Sequence, residues 1–189
     1  MMTTKVFIAG SMNIKNLDPK VKERIDSIVE RDLEVVVGDA DGADASVQWY
    51  LFNHGNSRAT VFCSGPTPRN NVGDWPIVSV ATNYAEGSRA FFTAKDIRMA
   101  EVADFGLMIW DAKSTGTLGN VIELLMRNKK TVVFVNKSKA FKNVGTVAQL
   151  EELVSLMSDR AKKKADEKIG LLNKIENLKS EKAQTRMFA

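Results

Sequence analysis

The sequence predicts an α/β protein with a Rossmann-like, doubly wound parallel sheet of five strands in three layers, followed by a long C-terminal helix. Short, continuous apolar runs alternate with segments whose apolar residues recur at helical spacing. Continuous apolar strands are typical of parallel sheets, because right-handed crossovers cover both of their faces with helices. The predicted strands span residues 5–9, 33–37, 59–63, 105–110 and 131–135.

The helices between these strands are predicted from their start signals and their apolar spacing. Pro19 suits the first turn of a helix that Asp18 caps, and Ser88 is positioned to cap a helix through residue 103. Two further helices are predicted over residues 45–52 and 118–128.

One long segment, residues 64–87, shows no sustained periodicity and contains three of the four prolines. This length is unusual for a plain connection in a compact domain, so the segment is predicted to be a lid or binding loop. Trp75 and Tyr84 within it either stack on a base or anchor the loop to the body.

Three regions are expected along the chain: a Rossmann-like body over residues 1–136, a linker over 137–145 and a helical extension over 146–189. Leu150, Val154, Met157 and Ala161 lie at heptad-like spacing in the extension. One helix of about 40 residues would extend roughly 60 Å. Its apolar stripe would have to pack on its own domain or on a partner chain, and a homo-oligomer is expected.

Charge divides between these regions. Residues 137–189 carry 12 Lys/Arg against 7 Asp/Glu, a balance of +5 within the net charge of +4, so the body carries −1. The basic extension either contacts nucleic acid or is a solvated helix face. No apolar run approaches the roughly 20 residues of a membrane span. The single cysteine excludes an intramolecular disulfide framework, and the cytoplasm is the expected compartment.

Candidate binding residues follow the first, second and fourth predicted strands, whose carboxyl ends meet at one edge of an open sheet. Residues 114–117 directly precede a predicted helix, where unpaired amides favour a phosphate or carboxylate. An ordinary helix cap by Thr115 or Thr117 is the structural alternative. The sequence lacks GxGxxG after the first strand and GxxxxGK[ST] throughout, so dinucleotide and P-loop sites are not expected.

The acidic segment GDADGAD, residues 38–44, is not an EF-hand loop. An EF-hand needs glycine at the sixth position and glutamate at the twelfth, where this chain has Asp44 and Tyr50. A better interpretation is a tight turn made possible by Gly38 and Gly42, with Asp44 capping the next helix and Asp39 or Asp41 available to ribose hydroxyls. No metal site and no cofactor are expected.

These segments together resemble the SLOG superfamily. The resemblance is carried by GSM after the first strand, GDADGAD after the second, and KDIRMAEVADFGLMIWDAKSTGT leading through the fourth, and it covers residues 5–135. The superfamily includes the cytokinin-activating LOG phosphoribohydrolases and is related to nucleoside deoxyribosyltransferases and nucleotide N-glycosidases. The resemblance implies a pocket for a nucleotide or nucleoside phosphate. The ligand-binding residues expected are Gly10, Ser11, Met12, Asp39, Gly42, Asp44, Arg89, Asp111, Ser114, Gly116 and Thr117.

The sequence departs from the LOG signature PGGxGTxxE. The corresponding stretch DAKSTGTLGN lacks the paired glycines and has Asn120 where glutamate is expected, with Glu123 one helical turn farther on. Cleavage of an N-glycosidic bond needs a carboxylate to stabilise the oxocarbenium-like sugar. Glu123, then Asp96, then Asp44 are the candidate catalytic residues. Arg89 is predicted to hold a phosphate, or to pair with a neighbouring carboxylate.

Three functions are therefore compared. The first is a nucleotide or nucleoside-phosphate binding protein of SLOG type, with possible cleavage or transfer at the N-glycosidic bond. The second is a non-catalytic nucleotide sensor that signals through its C-terminal helix. The third is a nucleic-acid-associated protein that uses its basic tail.

Overall fold

The computed structural model describes residues 2–189. The strands are β1 (Lys5–Gly10), β2 (Glu34–Gly38), β3 (Ala59–Ser64), β4 (Ile77–Val80), β5 (Phe105–Trp110), β6 (Thr131–Val135) and β7 (Ala140–Val144). The helices are α1 (Pro19–Glu30), α2 (Ala43–Asn53), α3 (Arg89–Val102), α4 (Thr115–Met126), α5 (Val147–Ser155), α6 (Asp159–Ile169) and α7 (Leu171–Phe188).

The strands form one sheet in the order β4-β3-β2-β1-β5-β6-β7, and every neighbouring pair is parallel except β6 with β7. The predicted Rossmann-like α/β fold is confirmed. The predicted number of five strands is wrong, because β4 and β7 add one strand at each edge. Both have weak patterns: β4 is four residues long after a proline, and β7 reads AFKNV with two polar residues.

The two faces of the sheet carry different helices. Helices α1 and α2 pack on one face, and α3, α4 and the C-terminal helices pack on the other. Helix α3 connects β4 at one edge of the sheet to β5 beside β1, so it crosses β3, β2 and β1. The direction of chain progression therefore reverses between β1 and β5, where open α/β sheets bind ligands.

The C-terminal region contains three helices rather than one helix of about 40 residues. The chain turns at Gly170, which adopts a left-handed conformation with φ of 62° and ends α6. Leu150, Leu171 and Ile175 are buried in the same core as α4. The extension thus packs on its own domain, and the segment expected to be a linker contains β7.

No helix among residues 2–189 is both long and apolar enough to cross a bilayer.

Candidate functional site

The loops after β1 and β5 meet at the carboxyl edge of the sheet. Ser11 Oγ lies 3.5 Å from Thr117 Oγ1, and both side chains are buried. The Asp111 amide donates a hydrogen bond of 3.1 Å to Ser11 Oγ. The structure therefore brings together the residues that the sequence placed at the ends of these two strands.

The first turn of α4 has the unpaired amides that favour an anion at a helix N-terminus. Ser114, rather than Thr115 or Thr117, is the N-cap and accepts a hydrogen bond from the Thr117 amide at 3.4 Å. The amides of Thr115 and Gly116 have no partner within the helix, as at any helix start. A Cβ atom at Gly116 would meet no atom within 4 Å, so the space beside Gly116 is open.

Arg89 extends from the start of α3 to this same turn. Its Nη2 atom donates a hydrogen bond of 3.1 Å to Thr115 Oγ1, and not to Glu86 or Asp96. A cation beside a helix N-terminus adds to the positive end of the dipole. We refer to Ser11, Arg89, Thr115, Gly116 and Thr117 as the anion corner.

Asp111 holds the loop before α4. Its Oδ1 atom accepts hydrogen bonds from the amides of Lys113 and Ser114, at 2.9 and 2.6 Å. Burial opposes ionisation of this carboxyl, but these hydrogen bonds outweigh it and keep its pKa below the ordinary value. Asp111 thus fixes the turn that precedes α4.

Two of the predicted ligand-binding residues at this edge, Gly10 and Gly42, have packing roles. The Ser11 amide donates to the Ile109 carbonyl at 2.9 Å, so only the hydroxyl of Ser11 faces the anion corner. A Cβ atom at Gly10 would overlap the Ile109 carbonyl, and one at Gly42 would overlap the carbonyl of Met12. Both glycines thereby allow α2 to approach the loop after β1, and the Met12 side chain is exposed.

A buried group of charges lies at the end of β2, next to β1. Lys95 is almost fully buried, and its Nζ atom lies 2.7 Å from Asp96 Oδ1. A Cβ atom at Gly38 would be 3.0 Å from Lys95 Nζ and would overlap the Asp44 carboxylate, so both side chains occupy the space over this glycine. We refer to Asp39, Asp44, Arg69, Lys95 and Asp96 as the charged cluster.

The surroundings of Asp44 set its protonation. Burial raises the pKa of Asp44 to about 7; Lys95 opposes this shift, and Asp96 adds to it. Burial also disfavours the charged form of Lys95, but Asp96 and Asp44 outweigh it and raise its pKa. The prediction that Asp44 caps α2 is wrong, because Gly42 is the N-cap and makes no side-chain cap bond.

Asp39 is held by Arg69, which comes from the loop between β3 and β4. The guanidinium donates to both carboxylate oxygens, at 2.9 and 3.2 Å, and the Arg69 amide donates a third bond of 2.9 Å. Burial opposes ionisation of Asp39, yet these bonds and the charge of Lys95 lower its pKa. The Asp39 carboxylate is therefore already engaged by Arg69 rather than free to bind ribose hydroxyls.

The anion corner and the charged cluster lie on adjacent strand ends. Ile8 pairs with Val37 in the register of β1 and β2, which places Gly38 beside the end of β1. Neighbouring strands are about 4.8 Å apart. Arg89 and Asp96 also share α3, seven residues apart, which is about 10 Å along a helix axis. The two groups therefore lie near each other at the carboxyl edge, beside the switch point between β1 and β5, and we refer to this region as the crevice.

Glu123 lies outside this crevice. Its carboxylate pairs with Arg127 at 2.6 Å, and Arg127 also reaches Glu101 near the end of α3. The end of α3 precedes β5 and so belongs to the amino edge of the sheet. The structure does not bring the first-ranked catalytic candidate together with the other site residues.

Two important side chains, Lys95 and Arg69, were missed from the sequence. Lys95 stands four residues after Phe91 and four before Met99, so helical spacing places it on the same face as Met99, which is buried. That pattern could have identified a buried lysine. Arg69 lies in a loop without periodicity, and no sequence signal pairs it with Asp39.

Among residues 2–189, no group of three or more His, Cys, Asp or Glu side chains is arranged to hold a metal ion. Asp41 accepts a hydrogen bond from Asn70 at 3.0 Å, and Asp39 is engaged by Arg69. Two carboxylates of the acidic segment after β2 thus hold the loop between β3 and β4.

The fold is that of a Rossmann-like α/β protein, and the candidate site lies at the switch point between β1 and β5. A similar solved structure was published as "Structural insights into the unique single-stranded DNA binding mode of DNA processing protein A from Helicobacter pylori". It has a TM-score of 0.56 and 19% identity, over 82% of this chain and 74% of that chain. At this identity the similarity shows the fold alone. No protein-family model and no curated protein matches the sequence.

Proposed function

We propose that this protein binds a nucleotide or nucleoside phosphate, with the phosphate held at the anion corner. The observation that carries the proposal is the convergence of Arg89 and the first turn of α4 on a space left open at Gly116. Helix N-termini bind phosphate through unpaired amides and the helix dipole, and arginine adds bidentate donors. The hydroxyls of Ser11 and Thr117 line the same corner.

We assign the site to the SLOG type on the strength of the sequence resemblance. The segments that carry it, after β1, after β2 and before α4, are those that form the crevice. The missing glutamate at position 120 is consistent with binding without the LOG reaction, because the buried Asn120 supplies no carboxylate.

A charge placed at Gly116 tests the phosphate site. Gly116→Asp adds a carboxylate in open space at a helix N-terminus, where an acidic residue favours the fold. The same carboxylate would repel a bound phosphate. We expect unchanged or slightly higher stability and a loss of nucleotide affinity of at least about tenfold, the equivalent of about 1.4 kcal/mol. Isothermal calorimetry with a panel of nucleoside monophosphates measures this.

Ser57→Asp is the matched control, because it makes the same charge change at an exposed position between α2 and β3, at the opposite edge of the sheet. It should leave nucleotide affinity within about twofold. Absence of binding by the wild-type protein to every nucleotide tested, or equal binding by Gly116→Asp, would refute the phosphate site.

For cleavage at the N-glycosidic bond, we propose Asp96 as the stabilising carboxylate. Its side chain is 21% exposed, whereas that of Asp44 is buried. In hydrolysis the bond from sugar to base breaks, water adds to the anomeric carbon, and the base leaves with a proton. Release of free base, followed by chromatography, should fall at least about 100-fold in Asp96→Asn. Glu123→Gln, outside the crevice, should retain the wild-type rate.

Binding of single-stranded nucleic acid is the second candidate function. The structure published for the single-stranded DNA binding mode of DNA processing protein A shares this fold, and this chain carries a basic C-terminal region. A sensor that signals through the C-terminal helices, and the homo-oligomer, remain predictions. Native mass spectrometry of the purified protein measures the copy number and any retained nucleotide.

A further inference from the structure

A second groove lies on the face of the sheet that carries α1, whereas α3 and α4 of the crevice pack on the other face. Its open volume of about 1280 Å³ runs along α1 and the strands β5, β6 and β7, from Lys20 near the turn between β6 and β7 to the residues before α5. Its floor includes Phe105, Leu107 and Val132, and the residues before α5 close one end. Because this volume exceeds the roughly 300–1,000 Å³ of a small-molecule pocket, the groove fits a polymer better than a metabolite.

The groove is basic. Lys20, Arg24 and Arg31 of α1 and Lys130 before β6 line it, against the single acidic residue Glu23. Among residues 2–189, none of these four cations forms an ion pair. Lys20 and Arg31 are 11 residues apart on α1, which is about 16 Å along the helix axis. The cations thus form a row rather than a point, which suits a chain of phosphates.

Aromatic side chains lie among these cations. Phe105 is 47% exposed on the groove floor, which is unusual for a large apolar residue at the start of a central strand. Arg24 lies over the ring of Phe141, with its Cζ atom 4.7 Å from the ring centroid. Cationic grooves that contain exposed aromatic rings are typical of single-strand nucleic-acid binding, because unpaired bases stack on the rings.

We propose that this groove binds single-stranded nucleic acid, with phosphates along Lys20, Arg24, Arg31 and Lys130 and a base on Phe105. An acidic polypeptide would match the charge, but it gives no reason for an exposed ring on the floor. The proposal does not rest on nucleotide binding, since the groove and the helices α3 and α4 of the crevice lie on different faces of the sheet. It gives the second candidate function a defined surface on the body, distinct from the basic C-terminal helices.

The test uses fluorescence anisotropy of the full chain with fluorescein-labelled dT20 and U20 over a range of salt concentrations. The double variant Arg24→Ala/Lys130→Ala should weaken binding at least about tenfold. It should also reduce the magnitude of the slope of log K against log salt concentration by about 1.4, because each single-strand phosphate contact contributes about 0.7 to that slope. Phe105→Ala should weaken binding several-fold with the salt dependence unchanged, since stacking releases no counterions.

The control is Lys163→Ala/Lys164→Ala on α6, which removes the same charge from the C-terminal region. It should leave affinity within about twofold and the salt dependence unchanged. Circular dichroism should show every variant folded, because the substituted side chains are exposed.

Four results would overturn the proposal: no binding of dT20 or U20 by the wild-type protein, equal losses in groove and control variants, full competition by polyglutamate at equal charge, or tighter binding of a duplex. Calorimetry with nucleoside monophosphates separates the two sites. Nucleotide binding should survive Arg24→Ala/Lys130→Ala, and dT20 binding should survive Gly116→Asp.

Discussion

At the scale of single residues, Asp44 is a carboxyl group that is almost completely removed from water. Its carboxyl is buried over Gly38, near Lys95, Asp96 and Asp39. Lys95 attracts the ionised form, whereas the other two carboxylates and the loss of hydration oppose it. Between pH values of about 4 and 7, Asp44 is therefore protonated in the folded protein, whereas an exposed aspartate would be ionised.

This bound proton predicts a pH dependence of stability. Because the pKa of Asp44 is raised from 3.8 to about 7 on folding, the folded state binds more protons than the unfolded state between those values. The contribution of Asp44 to the free energy of unfolding should fall as pH rises from about 4 to 7, by about 1.4 kcal/mol for each unit of pKa shift.

Asp44→Asn removes the titrating group at nearly equal volume. Urea denaturation of both proteins from pH 4 to 8 should show the stability of the wild type falling relative to the variant across that window. Parallel curves would mean that Asp44 ionises normally. Asp39, whose pKa is lowered, affects stability only below its ordinary value of 3.8 and so does not overlap this window.

The residue types at the site were more predictable than their roles. Ser11, Ser114 and Thr117 were placed correctly at one edge because strand ends and helix starts have strong local signals. The buried ion pair of Lys95 with Asp96 involves adjacent residues on a helix, and its burial depends on β2 and α2. Such tertiary burial has no local signature.

At the scale of elements, the loop between β3 and β4 is fastened rather than free. Arg69 binds Asp39, Gln48 accepts a hydrogen bond from the Val72 amide at 3.0 Å, and the buried Trp75 donates to the Asn56 carbonyl at 2.9 Å. Trp75 is thus an anchor, while Tyr84 is exposed. These contacts oppose the prediction that this part of residues 64–87 closes as a lid.

Arg69→Ala should release this loop. It leaves the buried Asp39 carboxylate without its guanidinium partner, and loss of a partner for a buried acceptor costs roughly 1–3 kcal/mol. Arg69 is itself 35% exposed, so water can replace part of the interaction. Hydrogen exchange should become faster in residues 65–76, and chemical denaturation should show the lower stability.

Arg98→Ala is the control for this measurement. Arg98 pairs with Glu101 at 3.0 Å on the exposed side of α3, where ion pairs contribute little. Its stability should stay within about 0.5 kcal/mol of the wild type. If both variants behave alike, Asp39 and Arg69 do not fasten the loop.

Most strands and helices were predictable, and the exceptions share a cause. The five central strands are continuous apolar runs, whereas β4 and β7 lie at the sheet edges and bury little. Edge strands need no apolar pattern, because only part of their surface is covered. The break at Gly170 was missed because the apolar spacing continues across it, through Ile169, Leu172 and Ile175.

At the scale of the whole molecule, the C-terminal helices are part of one core. The buried residues of α5, α6 and α7 belong to the same apolar cluster as Phe7 of β1 and Leu118 of α4. Removal of the region 146–189 would therefore expose this core. Charge substitutions on the exposed helix faces are the suitable way to test its contacts.

Substitution of two adjacent leucines tests whether the C-terminal helices unfold together with the rest of the domain. Leu171 is buried against the core, whereas Leu172 is 64% exposed. Leu171→Ala should lower the stability of the entire domain by about 2–5 kcal/mol in a single transition, and Leu172→Ala should change it by no more than about 0.5 kcal/mol. A separate early transition in denaturant would instead show that the C-terminal helices unfold alone.

Arg69 also lies against α3, with its guanidinium 4.4 Å from the centre of the Phe92 ring. Arg69 thus connects α3, the loop between β3 and β4, and the end of β2 through its contacts with Phe92 and Asp39, and these contacts form without a ligand. A ligand would meet donors that are already ordered, so little rotamer entropy would be lost on association. Encounter by diffusion and the attraction of opposite charges, and not a slow closing motion, would then limit the speed of binding.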